Sequence, residues 1–452
     1  MAKVSGLRAL SVAGVLLALA PLDSGVMAQP AAVSAPAAAD AVLAALRTAE
    51  HGDLRPVEAL LANKSTQGLE RCLLEARHAS AFLRFDEAWS ALDRYFAGQD
   101  PDRERLFVAH EVAAGAALLS GEYGKAARHA QTLLAMSADK PKEKIENIRR
   151  VQEIGAQLAN VSPQTVEVQG NGTPVSLVRD KVGLLRSPIT IGAIVQDAVL
   201  DTGAGISVVS ASAAERLGVR MLEGASSVGN SVGGGVGIRL GIAERLEFGG
   251  AVVRNVVFAV MDDDALTFPV PGGYKIDAIL GFPVLRAIGR VEFNLGQKTV
   301  RVSPTPAVSQ EAANMRVIGS SPYVMMTIAG LEQPLFFDTG ANSTALFPQF
   351  TAMLPSLQPI SEGRMAGKAG AGGVKHMQSM KLHNVPVSIG RHSANIPNLS
   401  YEPDGSDDPD VPFGVLGIDL LSRFETFAID YTNMLLEVGR PLAPAAAASA
   451  AR

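Results

Sequence analysis

The chain has 452 residues, more than one hydrophobic core usually serves, so we expect two or three domains. Hydrophobic residues make up 47% of the chain and charged residues 19%, a composition that excludes disorder as its general state. The net charge is −5 and no long basic run occurs, which argues against a nucleic-acid-binding protein and against binding to an anionic membrane. The single cysteine, Cys72, excludes an intrachain disulfide.

The first 28 residues have the pattern of a signal peptide. Lys3 and Arg8 precede the apolar stretch "ALSVAGVLLALAPL", and "VMA" at 26–28 supplies small residues for cleavage. An uncleaved anchor is the alternative, but the stretch is shorter than the ~20 residues of a membrane-spanning helix. We therefore expect a mature chain from Gln29 that is periplasmic or secreted, with no membrane attachment after cleavage.

Residues 29–160 are predicted to form an all-α domain, because apolar residues recur at helical spacing in segments rich in Ala, Leu, Glu and Arg. The segments "FDEAWSALDRY" from Phe85 and "YGKAARHAQTL" from Tyr123 both begin aromatic-x-x-Ala and start 38 residues apart. This spacing resembles tetratricopeptide helical hairpins, which would imply a protein partner at this domain. A plain helical bundle without a binding groove is the alternative.

The remainder is predicted to be mostly β-structure, since Val and Ile alternate with polar residues and Gly becomes frequent. We expect a linker at 161–176 and two β domains at 177–305 and 306–440. The final segment, 441–452, reads "PLAPAAAASAAR" and is expected to be a disordered tail.

An internal repeat divides the β region into these two parts. "VLDTGAG" at 199–205 recurs as "FFDTGAN" at 336–342. Asp201 is followed 80 residues later by the glycine of "AILG", and Asp338 is followed 79 residues later by the glycine of "GVLG". A short helix and a strand pair are predicted after each glycine. The two parts are therefore expected to fold as equivalent lobes, each carrying one acid.

These motifs resemble the pepsin and retropepsin clan of aspartic proteases, over roughly residues 177–440. The resemblance rests on Asp-Thr-Gly-Ala at 201–204 and 338–341, and on two hydrophobic residues followed by Gly at 279–281 and 415–417. The resemblance implies an all-β bilobed fold with pseudo-twofold symmetry. It also implies an endopeptidase that is active as a monomer and needs no metal or organic cofactor.

The two acids are the predicted catalytic residues. Asp201 and Asp338 would meet at the lobe interface, hold a water between them and share one proton, because two close carboxylates cannot both ionise. Four supporting residues are predicted in the same loops. Glycine at 203 and 340 suits a turn with unusual backbone angles and lets main-chain N–H groups approach the carboxylates. The resemblance implies that Thr202 and Thr339 form hydrogen bonds between the two loops.

Two glycine-rich stretches, 227–237 and 366–376, are candidate flaps over the substrate. Two flaps would resemble a fused pair of retropepsin subunits more than pepsin, and neither stretch contains a tyrosine. Flexible surface loops are the alternative. The flap candidates are Gly233, Gly234, Gly235, Gly370, Gly372 and Gly373.

Other motifs are weaker. "GNSVG" at 229–233 fits the G-x-S-x-G of serine hydrolases, but the residues that follow are poor helix formers. His376, His383 and His392 match no metal-ligand spacing, and no metal site is predicted.

Two functions remain. One is an exported aspartic endopeptidase acting on proteins or peptides, whose helical domain docks a partner or shields the cleft. The other is a non-catalytic peptide- or protein-binding scaffold on the same fold. Retention of both acids, threonines and glycines favours the enzyme.

Overall fold

The computed structural model describes residues 9–10, 38–229, 235–270, 272–303, 311–354, 357, 363–371, 373–403 and 412–442. The predicted signal peptide, apart from 9–10, and the predicted tail from 443 onward lie outside these residues, as do Gly233, Gly234 and Gly372. Among the helices that the structure describes, none is both long and apolar enough to cross a membrane.

In the described part of the chain seven helices precede the β-rich region, so the predicted order of a helical part followed by a β-rich part is confirmed. Asp102 caps α5 by accepting a hydrogen bond from the backbone N–H of Arg105 at 2.9 Å, and Gly121, with φ 81°, ends it. Both repeated aromatic-x-x-Ala segments begin a helix. The helices are α1 (Ala38–Ala49), α2 (Arg55–Ala62), α3 (Gly68–Ala81), α4 (Phe85–Ala97), α5 (Arg103–Ser120), α6 (Tyr123–Met136) and α7 (Lys142–Gln157).

Most strands up to residue 303 belong to one large sheet. They are β1 (Ala9–Leu10), β2 (Thr165–Val168), β3 (Val175–Ser176), β4 (Val178–Arg179), β5 (Leu185–Ile191), β6 (Ile194–Asp201), β7 (Ser207–Ser210), β8 (Arg220–Met221), β9 (Ser226–Gly229), β10 (Gly235–Phe248), β11 (Ala251–Met261), β12 (Thr267–Phe268), β13 (Tyr274–Lys275), β14 (Ala278–Gly281), β15 (Arg290–Asn294) and β16 (Thr299–Ser303). The large sheet has the order β2-β11-β7-β14-β6-β5-β10-β8, while β3, β15 and β16 lie in a five-stranded sheet, β12 and β13 form a two-stranded sheet, and β1 joins a sheet of the later strands. Helices α8 (Ala211–Arg216) and α9 (Phe282–Ile288) lie in this part.

The later strands build a second large sheet of order β21-β22-β23-β20-β24-β19-β18-β17, with β1 beside β21. Helices α10 (Pro348–Met353) and α11 (Ile418–Leu421) lie in this part. The strands are β17 (Met315–Ile318), β18 (Ser321–Ile328), β19 (Leu331–Phe337), β20 (Ala345–Leu346), β21 (Arg364–Gly370), β22 (Gly373–Ile389), β23 (His392–Tyr401), β24 (Gly414–Leu416), β25 (Thr426–Asp430) and β26 (Leu435–Val438).

A five-stranded sheet, β26-β25-β15-β16-β3, contains strands from both β parts. Its central pair aligns Phe293 with Phe427, whose rings stack at 4.3 Å. Beside them, the guanidinium of Arg290 lies 3.4 Å from the buried carboxylate of Asp430. The two parts are therefore joined by a continuous hydrogen-bonded sheet.

The segment 161–176, predicted as a linker, contributes to two sheets. Thr165–Val168 pairs with β11, and Val175–Ser176 pairs with β16. The sequence "TVEV" alternates apolar and polar residues, as a half-buried strand requires. The predicted linker segment therefore contains two short strands that join sheets of the β region.

The helical part shares a hydrophobic core with the first β part. Phe107, Ile148 and Ile154 from the helices are buried in the same cluster as Val208 and Ile279 from the sheet. A separate cluster around Leu73, Leu92 and Tyr95 lies mainly within the helices.

Candidate active site

The strands bring both predicted aspartates to equivalent positions in their sheets. β6 ends at Asp201, and its parallel neighbour β14 places Gly281 directly opposite. In the second sheet, β19 and β24 pair Phe337 with Leu416, so Asp338 and Gly417 are the next residues along. The register explains why the two sequence motifs recur at nearly the same separation.

Four hydrogen bonds connect the two aspartate loops. The backbone N–H of Thr202 donates to Oγ1 of Thr339 at 3.0 Å, and the N–H of Thr339 donates to Oγ1 of Thr202 at 3.0 Å. Each hydroxyl then donates to the other segment's backbone, Thr202 to the carbonyl of Phe337 at 2.9 Å and Thr339 to that of Leu200 at 2.8 Å. Both threonines are fully buried, so these bonds are shielded from water.

Main-chain N–H groups hold the two carboxyl groups in place. Oδ1 of Asp201 accepts from Gly203 at 2.8 Å and from Ala204 at 3.1 Å. Oδ1 of Asp338 accepts from Gly340 at 2.8 Å. The N–H of Ala341 donates to the backbone carbonyl of Asp338 instead, so the two carboxyl environments differ.

Each loop glycine faces the carboxyl group of the other loop. A Cβ atom on Gly203 would lie 2.6 Å from Oδ1 of Asp338, and one on Gly340 would lie still closer to the carboxyl group of Asp201. Neither glycine has a positive φ, so a left-handed backbone conformation is not the reason for glycine at these positions. Glycine is required because the two loops approach each other too closely for a side chain.

Burial changes the ionisation of the pair. Asp201 and Asp338 are 0% and 1% exposed, and burial raises the pKa of Asp201 to about 6. Burial, together with the negative charge of Asp201, raises the pKa of Asp338 well above its usual range. Because each group disfavours the second negative charge, the pair retains one proton at pH values between the pKa of Asp201 and that of Asp338. Such a pair can accept a proton with one carboxylate and donate one with the other.

Two hydroxyl groups that the sequence analysis missed support the partner glycines. The N–H of Gly281 donates to Oγ of Ser207 at 3.0 Å, and the N–H of Gly417 donates to Oγ1 of Thr344 at 3.0 Å. Each hydroxyl residue stands six positions after its aspartate, so aligning the two repeats further would have revealed the pair.

The first candidate flap is a hairpin whose base is described. β9 pairs with the start of β10, which places Gly235 opposite Gly229. Helix α7 contacts this hairpin: Nε of Arg150 donates to Oγ of Ser227 at 3.3 Å, and Oγ of Ser226 donates to Oε2 of Glu153 at 3.1 Å. The helical part therefore holds the base of the first hairpin.

The second candidate flap is the hairpin of β21 and β22, in which Gly370 pairs with Gly373. Its tip residue Ala371 is 2% exposed and lies in the hydrophobic cluster of the first β part. Lys368 on β21 lies 3.5 Å from Glu402, and its positive charge partly offsets the rise in the pKa of Asp338. The sequence analysis missed Lys368 because only the tertiary fold brings this strand to the aspartates.

No three His, Cys, Asp or Glu side chains in the described ranges lie close enough together to hold a metal ion. His376 and His383 lie along β22, and His392 begins β23. Ser231 of the G-x-S-x-G match falls outside the described residues.

Comparison with known proteins gives one family match. The model of the family described as aspartyl protease matches residues 188–284. No curated protein matches the sequence significantly.

Three solved structures are among those similar to this chain. They are basic 7S globulin from soybean (9% identity, TM-score 0.37, 61% of this chain and 95% of that one), a retropepsin-like aspartic protease from Rickettsia conorii (24% identity, TM-score 0.19, 26% and 82%) and the EIAV protease complexed with the inhibitor HBY-793 (19% identity, TM-score 0.17, 26% and 91%).

The family match spans β6 with Asp201, the loop that follows it, and β14 with Gly281. These are the elements that build one half of the geometry described above. Residues 188–284 of this chain therefore resemble an aspartyl protease domain in sequence.

Proposed function

We propose that the protein is an aspartic endopeptidase whose two catalytic carboxyl groups are Asp201 and Asp338. The observation that carries the proposal is the set of reciprocal hydrogen bonds between Thr202 and Thr339, which joins two buried aspartate loops of matching sequence. In this proposal residues 177–305 and 306–440 are two lobes related by a pseudo-twofold axis. Because both acids lie on one chain, the enzyme acts as a monomer.

The chemistry follows from one shared proton. The ionised carboxylate takes a proton from a water molecule, whose oxygen attacks the carbonyl carbon of the peptide bond. The protonated carboxyl group donates to the substrate as charge develops. The amide nitrogen is then protonated, the C–N bond breaks, and a carboxylic acid and an amine are released. Thr202, Gly203, Thr339 and Gly340 hold the carboxyl groups in this geometry.

The substrate is proposed to bind beneath the two hairpins at β9–β10 and β21–β22. Residues 29–160 would present or exclude substrate, or bind a protein partner. Export to the periplasm or out of the cell rests on the charged and apolar pattern of residues 1–28.

The test uses the mature chain from Gln29 with a denatured protein and a peptide library as substrates. We expect cleavage that pepstatin inhibits. Asp201→Asn and Asp338→Asn are each expected to reduce kcat by several orders of magnitude, because either change removes half of the proton-sharing pair.

Asp93→Asn is the matched control, since Asp93 is exposed on α4, and it should retain full activity. Circular dichroism and thermal melting should show that all variants are folded. A folded Asp201→Asn or Asp338→Asn variant with substantial activity would refute the proposed mechanism. A wild-type chain that binds peptides without cleaving any would identify a scaffold instead.

A further inference from the structure

A cavity of about 90 Å³ lies where the helical part meets the β region. Gly205 and Ile206, which directly follow the Asp201 loop, form part of its wall. Most of the lining is apolar, and it includes Leu118 and Leu119 of α5, Ile154 of α7, Val257 of β11 and Pro283 of α9.

One cationic side chain, Arg286 of α9, reaches this apolar space. Its Nη2 donates to the backbone carbonyl of Leu119 at 2.6 Å, while its Nε is buried and has no hydrogen-bond partner among the described residues. No carboxylate pairs with Arg286 in the part of the chain that the structure describes. Oγ of Ser320, which also lines the cavity, is likewise buried without a partner.

The charge of Arg286 is compensated only in part, by the ring of Phe85, whose centroid lies 5.8 Å from the guanidinium carbon, and by a helix end. Leu119 lies at the C-terminal end of α5, and a helix end carries the equivalent of about half a negative charge. A guanidinium whose Nε–H is buried and makes no hydrogen bond with the described residues still favours an anion beside it. A water molecule would accept the unused hydrogen bond from Nε but would not offset the positive charge of Arg286.

The size and lining limit what the anion can be. A cavity of about 90 Å³ is larger than the ~10–15 Å³ that one water needs, and smaller than the ~150 Å³ cavity that accommodates benzene. One cationic side chain and a mostly apolar wall suit a ligand that carries a single negative charge on a small apolar group.

We propose that this cavity binds a short-chain monocarboxylate, of the size of acetate or propionate. Its carboxylate would accept hydrogen bonds from Nε of Arg286 and Oγ of Ser320, and its alkyl group would contact Ile206 and Val257. Such a ligand would connect α9 with the turn at Ser320 and would adjoin the loop that follows Asp201. The inference does not depend on peptidase activity.

The experiment titrates the mature wild-type chain with acetate, propionate and butyrate at constant ionic strength. Calorimetry and thermal melting measure the binding. Sodium chloride controls for salt, and propionamide controls for a neutral molecule of the same shape. We expect saturable binding of acetate or propionate, a higher melting temperature than in chloride, and no effect of propionamide.

Arg286→Gln is expected to weaken binding roughly tenfold or more, since it removes a charge-assisted hydrogen bond. Arg239→Gln, at an exposed residue of β10, is the control and should bind as wild type does. If Arg286→Gln does not fold, Ser320→Ala provides the test and should weaken binding several-fold. Absence of saturable binding to wild type, or equal affinity in the folded variants, would overturn the proposal.

Discussion

At the residue scale, the two aspartates combine complete burial with backbone hydrogen bonds that favour the ionised form. For Asp201 burial is the larger effect, because its pKa is raised to about 6. The residue after each Asp-Thr-Gly is Ala, whose side chain cannot donate a further hydrogen bond to the carboxylate. This combination predicts a pH dependence unlike that of a strongly acidic protease.

The active form carries one proton on the pair. Below about pH 6 Asp201 also becomes protonated, so kcat/KM should fall as the pH decreases through that value. At high pH Asp338 ionises and activity should fall again, because its pKa is raised above that of an ordinary carboxyl group. We therefore expect an optimum above about pH 6, between the two pKa values, measured as kcat/KM against pH. An optimum near pH 2 would contradict this prediction.

Ala204→Ser and Ala341→Ser are expected to shift the acid limb of that profile to lower pH, because a hydroxyl that donates to the ionised carboxylate favours the charged form. Ala243→Ser, a change at a buried alanine of β10, is the control and should leave the profile unchanged. Unmoved profiles in folded Ala204→Ser and Ala341→Ser variants would show that the hydroxyl does not reach the carboxylate.

Gly281 is expected to tolerate no side chain. An added Cβ would lie 2.7 Å from the carbonyl oxygen of Ala204 and 2.9 Å from that of Ile206, and backbone atoms cannot move aside easily. Gly281→Ala should lower the free energy of unfolding by roughly 1–3 kcal/mol and should reduce activity by displacing the Asp201 loop. Gly237→Ala in β10 meets no atom within 4 Å and is the matched control. Urea denaturation and peptidase assays would measure both effects, and equal stability of the two variants would contradict the prediction.

At the scale of elements, helix α7 contacts the hairpin of β9 and β10, the first candidate flap. Besides the contacts of Arg150 and Glu153, Nε2 of Gln157 donates to the carbonyl of Ala225 at 3.3 Å, just before β9. Three residues on one face of α7 therefore bind the base of the hairpin. This arrangement gives the helical part a direct influence on the proposed substrate cleft.

The double substitution Arg150→Ala with Glu153→Ala should loosen the first hairpin. Each hydrogen bond contributes about 1 kcal/mol, so we expect KM to rise roughly five-fold with a smaller change in kcat. Amide hydrogens of β9 should exchange faster with deuterium.

Arg149→Ala is the control for this substitution, because Arg149 is exposed on the same helix and pairs with Glu146. Unchanged KM and unchanged exchange in the double variant would show that the contacts with α7 do not restrain the hairpin.

At the scale of the whole molecule, the shared core predicts that the helical and β-rich parts unfold together. The single tryptophan, Trp89, lies in α4 and reports on the helices, while hydrogen exchange in β6 reports on the sheet. The two unfolding transitions should coincide. Ile154→Ala, at a residue of α7 that is 1% exposed, should shift both by roughly 2–5 kcal/mol.

Val195→Ala, at a side chain that is 66% exposed, is the control and should shift neither transition measurably. A Trp89 transition that precedes loss of the sheet, or that responds alone to Ile154→Ala, would show that the two parts are energetically independent.

The sequence by itself determined the order of helical and β-rich parts, because hydrophobic periodicity depends on neighbouring residues. It also identified both aspartates, since the two repeats carry the same local motif at nearly the same separation from a glycine. The strand Thr165–Val168 also has a local alternation of apolar and polar residues, but these residues were assigned to a linker.

Only the tertiary structure decided how these elements meet. Contacts between residues distant in sequence depend on register and packing, and no local pattern encodes them. The close approach of Gly203 to Asp338, the position of Lys368 and the contact of α7 with the first hairpin are of this kind. The raised pKa values also required the fold, because burial and the nearby second carboxyl group exist only after the chain has folded.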